Sequence, residues 1–98
     1  MKRVRFHPEA RLDARAAALW YRKRSPETAR GFADAVAAAV ESIRERPQTW
    51  PIWQRTEIRR RRVRGYPYSV CYVVEKDVVV ILAIAHHKRR PGYWVARR

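Results

Sequence analysis

The run VVVILAIA, Val78 to Ala85, constrains the fold of this chain more than any other stretch. It is rich in Val and Ile, bounded by polar residues, and reads as a buried strand. Successive strand side chains point to opposite faces, so a run that is apolar throughout must be covered on both sides. The strand is therefore central in its sheet, and helices must cover it. It falls far short of the roughly 20 apolar residues that a membrane span needs.

The other elements follow from periodicity and punctuation. RVRFH (Arg3 to His7) alternates, with Val4 and Phe6 on one face, and predicts a short strand with one face buried. Pro8 opens a helix through Arg24, with Glu9 in its first turn and Arg22, Lys23 and Arg24 in its last, matching the macrodipole. Ala10, Ala14, Ala17, Trp20 and Tyr21 fall on or near one face of it. Ser25 caps a second helix that starts at Pro26 and ends before Pro47. Its apolar stripe is Ala29, Phe32, Val36, Ala39 and Ile43, with Arg30, Asp34, Glu41 and Glu45 outside. With so short a link the helices form an antiparallel hairpin. Pro47 to Glu57 is irregular, and its Trp50 and Trp53 fold back over the core. Ile58 to Arg64 predicts a strand, Gly65 a turn, and Tyr66 to Glu75 a half-buried strand that turns at Lys76-Asp77 into the apolar run. The order is β-α-α-β-β-β: an α+β fold, a small antiparallel-rich sheet with an N-terminal helical hairpin on one face. At 98 residues the chain reads as a single domain, 1–98.

Charge narrows the partners. Lys and Arg number 23 against nine Asp and Glu, a formal charge of +14. A field of that sign attracts polyanions or an acidic protein. No signal peptide is visible at the basic N-terminus, and the lone Cys71 lies in a strand pattern, which fits a reduced core residue of a cytoplasmic protein. No membrane partner is expected.

Two stretches carry the candidate chemistry. RRRR, Arg59 to Arg62, cannot lie on one solvent face if it is a strand; Arg60, Arg62 and Arg64 share one side, and Arg59 and Arg61 the other. These arginines suit a phosphate or an acidic partner. AHHKRRPGYW, Ala85 to Trp94, follows the central strand with His86 and His87 on opposite faces, then Lys88, Arg89 and Arg90, and the aromatics Tyr93 and Trp94. A histidine there suits proton transfer at neutral pH, and Tyr93 is open to stacking or catalysis. Trp94 is expected to anchor the tail, His7 to be structural, and Trp20, Trp50 and Trp53 to lie in the core or against a protein partner. No cluster has metal-ligand spacing, and no metal or cofactor is expected.

Taken in order, FHPEA, WY…SPETARGFADAV…I…P, R…GYPYSVCY and AIAHHKRRPGYW resemble the RelE/ParE family, the toxins of bacterial type II toxin–antitoxin systems. The resemblance implies a growth inhibitor held inactive by a cognate antitoxin, whose acidic or amphipathic C-terminal segment folds on binding. It offers two targets: DNA gyrase for ParE-like members, and ribosome-bound mRNA for RelE-like endoribonucleases that need no metal. If the chain is a ribonuclease, the resemblance places its catalytic set at Arg60, Arg62, His87 and Tyr93. Arg59, Arg61, Arg64, His86, Lys88, Arg89 and Arg90 would then contact RNA, another target or the antitoxin. Two departures matter: the Arg at the end of the ribonucleases' fourth strand falls on His87, and their third-strand Arg falls on Ser69, which carries no charge. That favours gyrase over mRNA, with a non-toxic basic interaction module as a further alternative.

Overall fold

The computed structural model describes residues 2–98; Met1, included in the single-domain reading, lies outside the described residues. Strand β1 is Arg3–Phe6, helix α1 Pro8–Arg22, helix α2 Pro26–Glu45, β2 Arg59–Arg62, β3 Tyr68–Glu75 and β4 Val78–His86; a terminal 3₁₀ turn spans Tyr93–Arg97. The sheet runs β1-β4-β3-β2, with β1 parallel to β4 and the other pairs antiparallel. The apolar strand is thus interior, flanked by β1 and β3, as its two-faced pattern requires.

Local chemistry sets the helix ends. His7 caps α1, its Nδ1 accepting the Glu9 N–H at 3.1 Å. Ser25 caps α2, its Oγ accepting the Thr28 N–H at 3.3 Å. Extended backbone at Ser25, which Pro26 demands, stops α1 at Arg22, two residues short of the expected end. The predicted stripe of α2 is buried at Phe32, Val36, Ala39 and Ile43. It packs with Ala10 and Ala17 of α1 onto Val70, Tyr72, Val79, Ile81 and Ile84 of the sheet. Each such Val, Ile or Phe contributes about 1.5–3 kcal/mol.

Helices cover only this face, which corrects the expectation that they close over the central strand. The opposite face of β4, with Val80, Leu82, Ala83 and Ala85, is covered by Trp94 of the tail, Ile58, and the half-buried Trp53 of the loop after α2. Trp53 and Trp94 meet edge to face, their centroids 4.9 Å apart. Gly92 lets the tail turn in over them: its φ is +93°, and a Cβ there would sit 2.9 Å from the Trp53 ring.

A bulge breaks the β3–β4 ladder: Cys71 pairs with Ala83 but Tyr72 pairs with Ile81, leaving Leu82 as the extra residue. Leu82 and Ala83 therefore both join the tail-side core. Strand β1 stops at Phe6, so the edge of β4 beyond Ile81 lacks a strand partner. Asp13 of α1 and Arg97 of the tail supply it: Asp13 Oδ2 accepts the Ile84 N–H at 3.1 Å, and Arg97 donates to the Leu82 carbonyl at 3.0 Å. Arg97 also donates to Asp13 Oδ2 at 2.7 Å, and both side chains are only 12% exposed. Strand β2 is shorter than the predicted Ile58–Arg64. Ile58 turns into the tail-side core, and Val63 closes the Arg64–Pro67 turn by donating to the Tyr68 carbonyl.

Candidate functional site

Register across the sheet assembles the site. Arg62 pairs with Ser69, and Ser69 with Ala85; Arg60 pairs with Cys71, and Cys71 with Ala83. These residues share the tail face of the sheet. His87, two residues past Ala85, joins the same face, while His86 turns to the helix side beside Tyr68, its ring 4.9 Å from the tyrosine's. The predicted division of the two histidines thus holds in the structure. A cleft of about 340 Å³ opens here, lined by Arg60, Arg62, Ser69, His87, Arg89 and Tyr93 among others. All four residues of the conditional catalytic set reach it.

The cleft is cationic and largely unpaired. Among the described residues no carboxylate or hydrogen-bond acceptor holds the Arg60 or Arg62 guanidinium, and both side chains are exposed. His87 donates its backbone N–H to the Pro67 carbonyl at 2.9 Å, and its Nε2 lies 2.9 Å from Ser69 Oγ. Partial burial, with the positive field of Arg62 next, lowers the His87 pKa, so the ring is neutral at pH 7. Tyr93 is kept a neutral phenol: burial raises its pKa, Asp13 adds to the effect, and Arg89 and Arg97 oppose it. The Arg89 guanidinium lies over the Tyr93 ring, 3.7 Å from its centroid. That occupies a face of the ring that base stacking would use.

The helix-side arginines of β2 are engaged within the chain. Arg59 donates to the carbonyls of Trp50 and Gln48 and to Gln48 Oε1 at 2.7–3.2 Å, pinning the loop after α2. Arg61 donates to Ser42 Oγ of α2 and to the Arg62 carbonyl, and lies 4.8 Å from the Trp50 ring centroid. Strand alternation aims both at the helices, so each holds a structural contact within the chain. Arg64 is exposed in the turn after β2. Lys88, Arg89 and Arg90 are exposed in the turn after β4, where His86 Nδ1 accepts the Lys88 N–H.

A second cleft, about 430 Å³, lies on the other side of His86. Ala17 and Ile84 form part of its lining, with Trp20, Tyr21, Tyr68, Arg89 and Tyr93 around it. Trp20, expected in the core or against a partner, is 51% exposed at this cleft. Asp13 and Arg97 had no signal in the sequence, since the two residues that meet are far apart in the chain.

Among the described residues no group of His, Cys, Asp or Glu is placed to hold a metal ion, and no helix is long and apolar enough to cross a membrane. The family model described as "ParE toxin of type II toxin-antitoxin system, parDE" matches residues 4–91, a span that includes both clefts' strand residues. The solved structure of a chromosomal ParDE TA system from P. aeruginosa is similar, with a TM-score of 0.77 over 88% of this chain and 96% of that one. At 19% identity that likeness establishes the fold. No curated protein sequence gives a match. The four-stranded sheet, its helical hairpin and the ordered motifs of the sequence agree with these findings, and the chain belongs to the RelE/ParE toxins, as a ParE toxin of type II toxin–antitoxin systems.

Proposed function

We propose that this chain arrests growth by binding DNA gyrase through the Arg60–Arg62 cleft, and that a cytoplasmic antitoxin neutralises it. The observation that carries the reading is Ser69. In the ribonuclease branch the third strand supplies a cation to the pentacoordinate phosphate; here a neutral hydroxyl occupies that place and lies 2.9 Å from His87. Losing one such preorganised donor costs about 3 kcal/mol in the transition state. Binding has no such requirement: two unpaired arginines at a cleft suit a protein's acidic surface.

The antitoxin has a separate seat in this reading. On the outer face of the hairpin an apolar groove runs between α1 and α2, floored by Ala14, Ala18, Ala33 and Ala37. Arg11, Arg15, Arg22 and Arg30 border it. Small side chains allow close approach, and the arginines favour carboxylates, so an acidic amphipathic helix fits.

A second reading has its own support. His87, Tyr93, Arg60 and Arg62 all line one cleft, and a neutral imidazole is a competent general base, so a ribosome-dependent endoribonuclease is chemically coherent. Supercoiling by purified gyrase, with and without the protein, decides. Inhibition that survives His87→Ala and Tyr93→Phe supports the gyrase reading. Intact supercoiling, together with cuts in A-site codons on translating ribosomes that either substitution abolishes, replaces it with the ribonuclease. Absence of any growth defect when the chain is expressed alone leaves only a non-toxic interaction module.

A further inference from the structure

Binding through Arg60 and Arg62 makes no use of the Ser69 hydroxyl, yet that hydroxyl is built into the same cleft. Its Oγ lies 2.9 Å from Nε2 of His87, whose ring is neutral at pH 7. A neutral imidazole against a hydroxyl is a general base placed to take the proton of a nucleophile. The chain has three serines, and the other two are committed elsewhere. Ser25 caps α2 by accepting the Thr28 N–H, and Ser42 donates to the Ala39 carbonyl at 2.6 Å. The other two histidines turn Nδ1 to backbone N–H groups, His7 to that of Glu9 and His86 to that of Lys88. Among the described residues, Ser69 and His87 make the one hydrogen bond between a hydroxyl and an imidazole.

The charges around the pair select the electrophile. Arg62 is the direct cross-strand partner of Ser69, and Arg60 stands two residues away on the same face. Both side chains are exposed, and among the described residues neither guanidinium has an acceptor against it. A carboxylic ester or amide carries no charge for them to hold. A phosphoryl group does, and its oxygens need fixed cations while the new bond to phosphorus forms. A carboxylate leaving group departs as an anion and needs no proton. An acyl phosphate therefore asks of the protein only a base and cations, and a cleft of about 340 Å³ has room for a small one.

We propose that Ser69 is a phosphoryl-acceptor site, modified by a small acyl phosphate with His87 as general base, and that Arg60 and Arg62 hold the resulting phosphoserine. Ser69 Oγ attacks phosphorus, and the Oγ–P bond forms as the P–O bond to the acyl group breaks. The hydroxyl proton passes to His87 Nε2, the carboxylate leaves, and nothing is oxidised or reduced. The product carries a charge of about −1.5 to −2 at pH 7. Two guanidiniums on the same face of β2 can fork onto its oxygens. The modification cancels the unpaired charge of the cleft and so switches off target binding. That consequence rests on the reading of the cleft as the target-facing one; the chemistry at Ser69 does not.

The test incubates the full chain with acetyl phosphate and locates the modification by intact mass and fragment mapping. The expected product carries one phosphoryl group, on Ser69. Ser69→Ala should abolish it, and His87→Ala should slow its formation about a hundredfold. His87→Gln can accept the serine hydrogen bond but cannot take the proton, and should be as slow as the alanine variant. Arg62→Ala should raise the acetyl phosphate concentration needed for half the maximal rate, whereas Arg64→Ala, outside the cleft, should leave it unchanged. Acetylated lysines with Ser69 unmodified overturn the proposal. So does a phosphoryl group on His87, which makes the imidazole the nucleophile, or a wild-type rate in His87→Gln. The purified phosphorylated chain should inhibit gyrase at least about tenfold less than the unmodified one. Full inhibition by the phosphorylated chain overturns the switch. Failure of the gyrase reading shows separately, as undisturbed supercoiling by the unmodified chain.

Discussion

Arg60 and Arg62 differ from Arg59 and Arg61 by one step of strand alternation, and that step separates arginines left unpaired from arginines that hold the fold. Arg59 spends three hydrogen bonds on Gln48 and Trp50, so Arg59→Ala should cost about 1.5–3 kcal/mol in chemical denaturation. Arg60→Ala and Arg62→Ala remove exposed side chains with no partner in the chain, and each should change stability by no more than about 0.5 kcal/mol. Together they should weaken target inhibition at least about tenfold. A pair that leaves inhibition untouched while Arg59→Ala abolishes it in a folded protein would move the recognition surface to the helix side. The sequence showed that four arginines in a row cannot share a face; it could not show which pair meets the helices, because that depends on the register with β3. His87 adds a pH signature. Its pKa is lowered in the folded chain, so near pH 6.5 and below the unfolded chain binds the proton more readily. The stability associated with the neutral ring is present above about pH 6.5 and is lost as pH falls through the folded pKa. His87→Gln should therefore flatten the fall in thermal midpoint between pH 7.5 and 5.5 relative to the wild type. Parallel curves for the two proteins would place His87 in an unperturbed environment.

Among the elements, the hairpin was the most legible part of the fold, since Pro8, Ser25, Pro26 and Pro47 punctuate it and the α2 stripe has helical period. Its contact with the turn before β3 was not legible, because it rests on the absence of a side chain. Gly31 sits in the middle of α2, where glycine costs about 1 kcal/mol relative to alanine. The structure shows what it allows: a Cβ there would lie 2.5 Å from the hydroxyl oxygen of Tyr66, which donates to the Thr28 carbonyl at 3.0 Å. Tyr66 in turn packs edge-on against Tyr21 and Phe32. Gly31→Ala should then destabilise by about 1–3 kcal/mol, the overpacking cost exceeding the gain in helix propensity. In a Tyr66→Phe background the colliding atom is gone, and the same substitution should become neutral or stabilising. Equilibrium denaturation of the four proteins closes the cycle, and additive effects would mean that the helix shifts to accept the methyl group. The β-bulge at Leu82 escaped the sequence for a related reason. A uniformly apolar strand has no alternation for an extra residue to disturb, so nothing in VVVILAIA marks where the register slips.

At the scale of the whole molecule, the two ends of the chain are joined over the central strand. Asp13 lies near the start and Arg97 at the end, yet they meet at the edge of β4 that β1 leaves uncovered. The pair satisfies a backbone donor and a backbone acceptor of the bulge, and it fixes the turn that carries Tyr93 and Trp94. Arg98 reinforces the tail from outside through ion pairs with Glu57 and Glu75, which are exposed and contribute little. The consequence is that one buried contact supports both clefts, since Tyr93 lines each of them. Asp13→Ala strands a largely buried guanidinium and the Ile84 N–H together, and should destabilise by about 3–5 kcal/mol. Arg97→Met strands the largely buried Asp13 carboxylate in turn, and should cost less only because the Ile84 N–H keeps its acceptor. The double variant should be more stable than the sum of the two losses requires, since neither charge then remains unpaired. Denaturation midpoints of the four proteins measure that coupling. Target inhibition supplies the second readout: Arg97→Met, still folded on the helix-side core, should lose potency as Tyr93 loosens even though Arg60 and Arg62 are intact. Additive stabilities with full potency would mean that Trp94, buried against Trp53, holds the tail by itself.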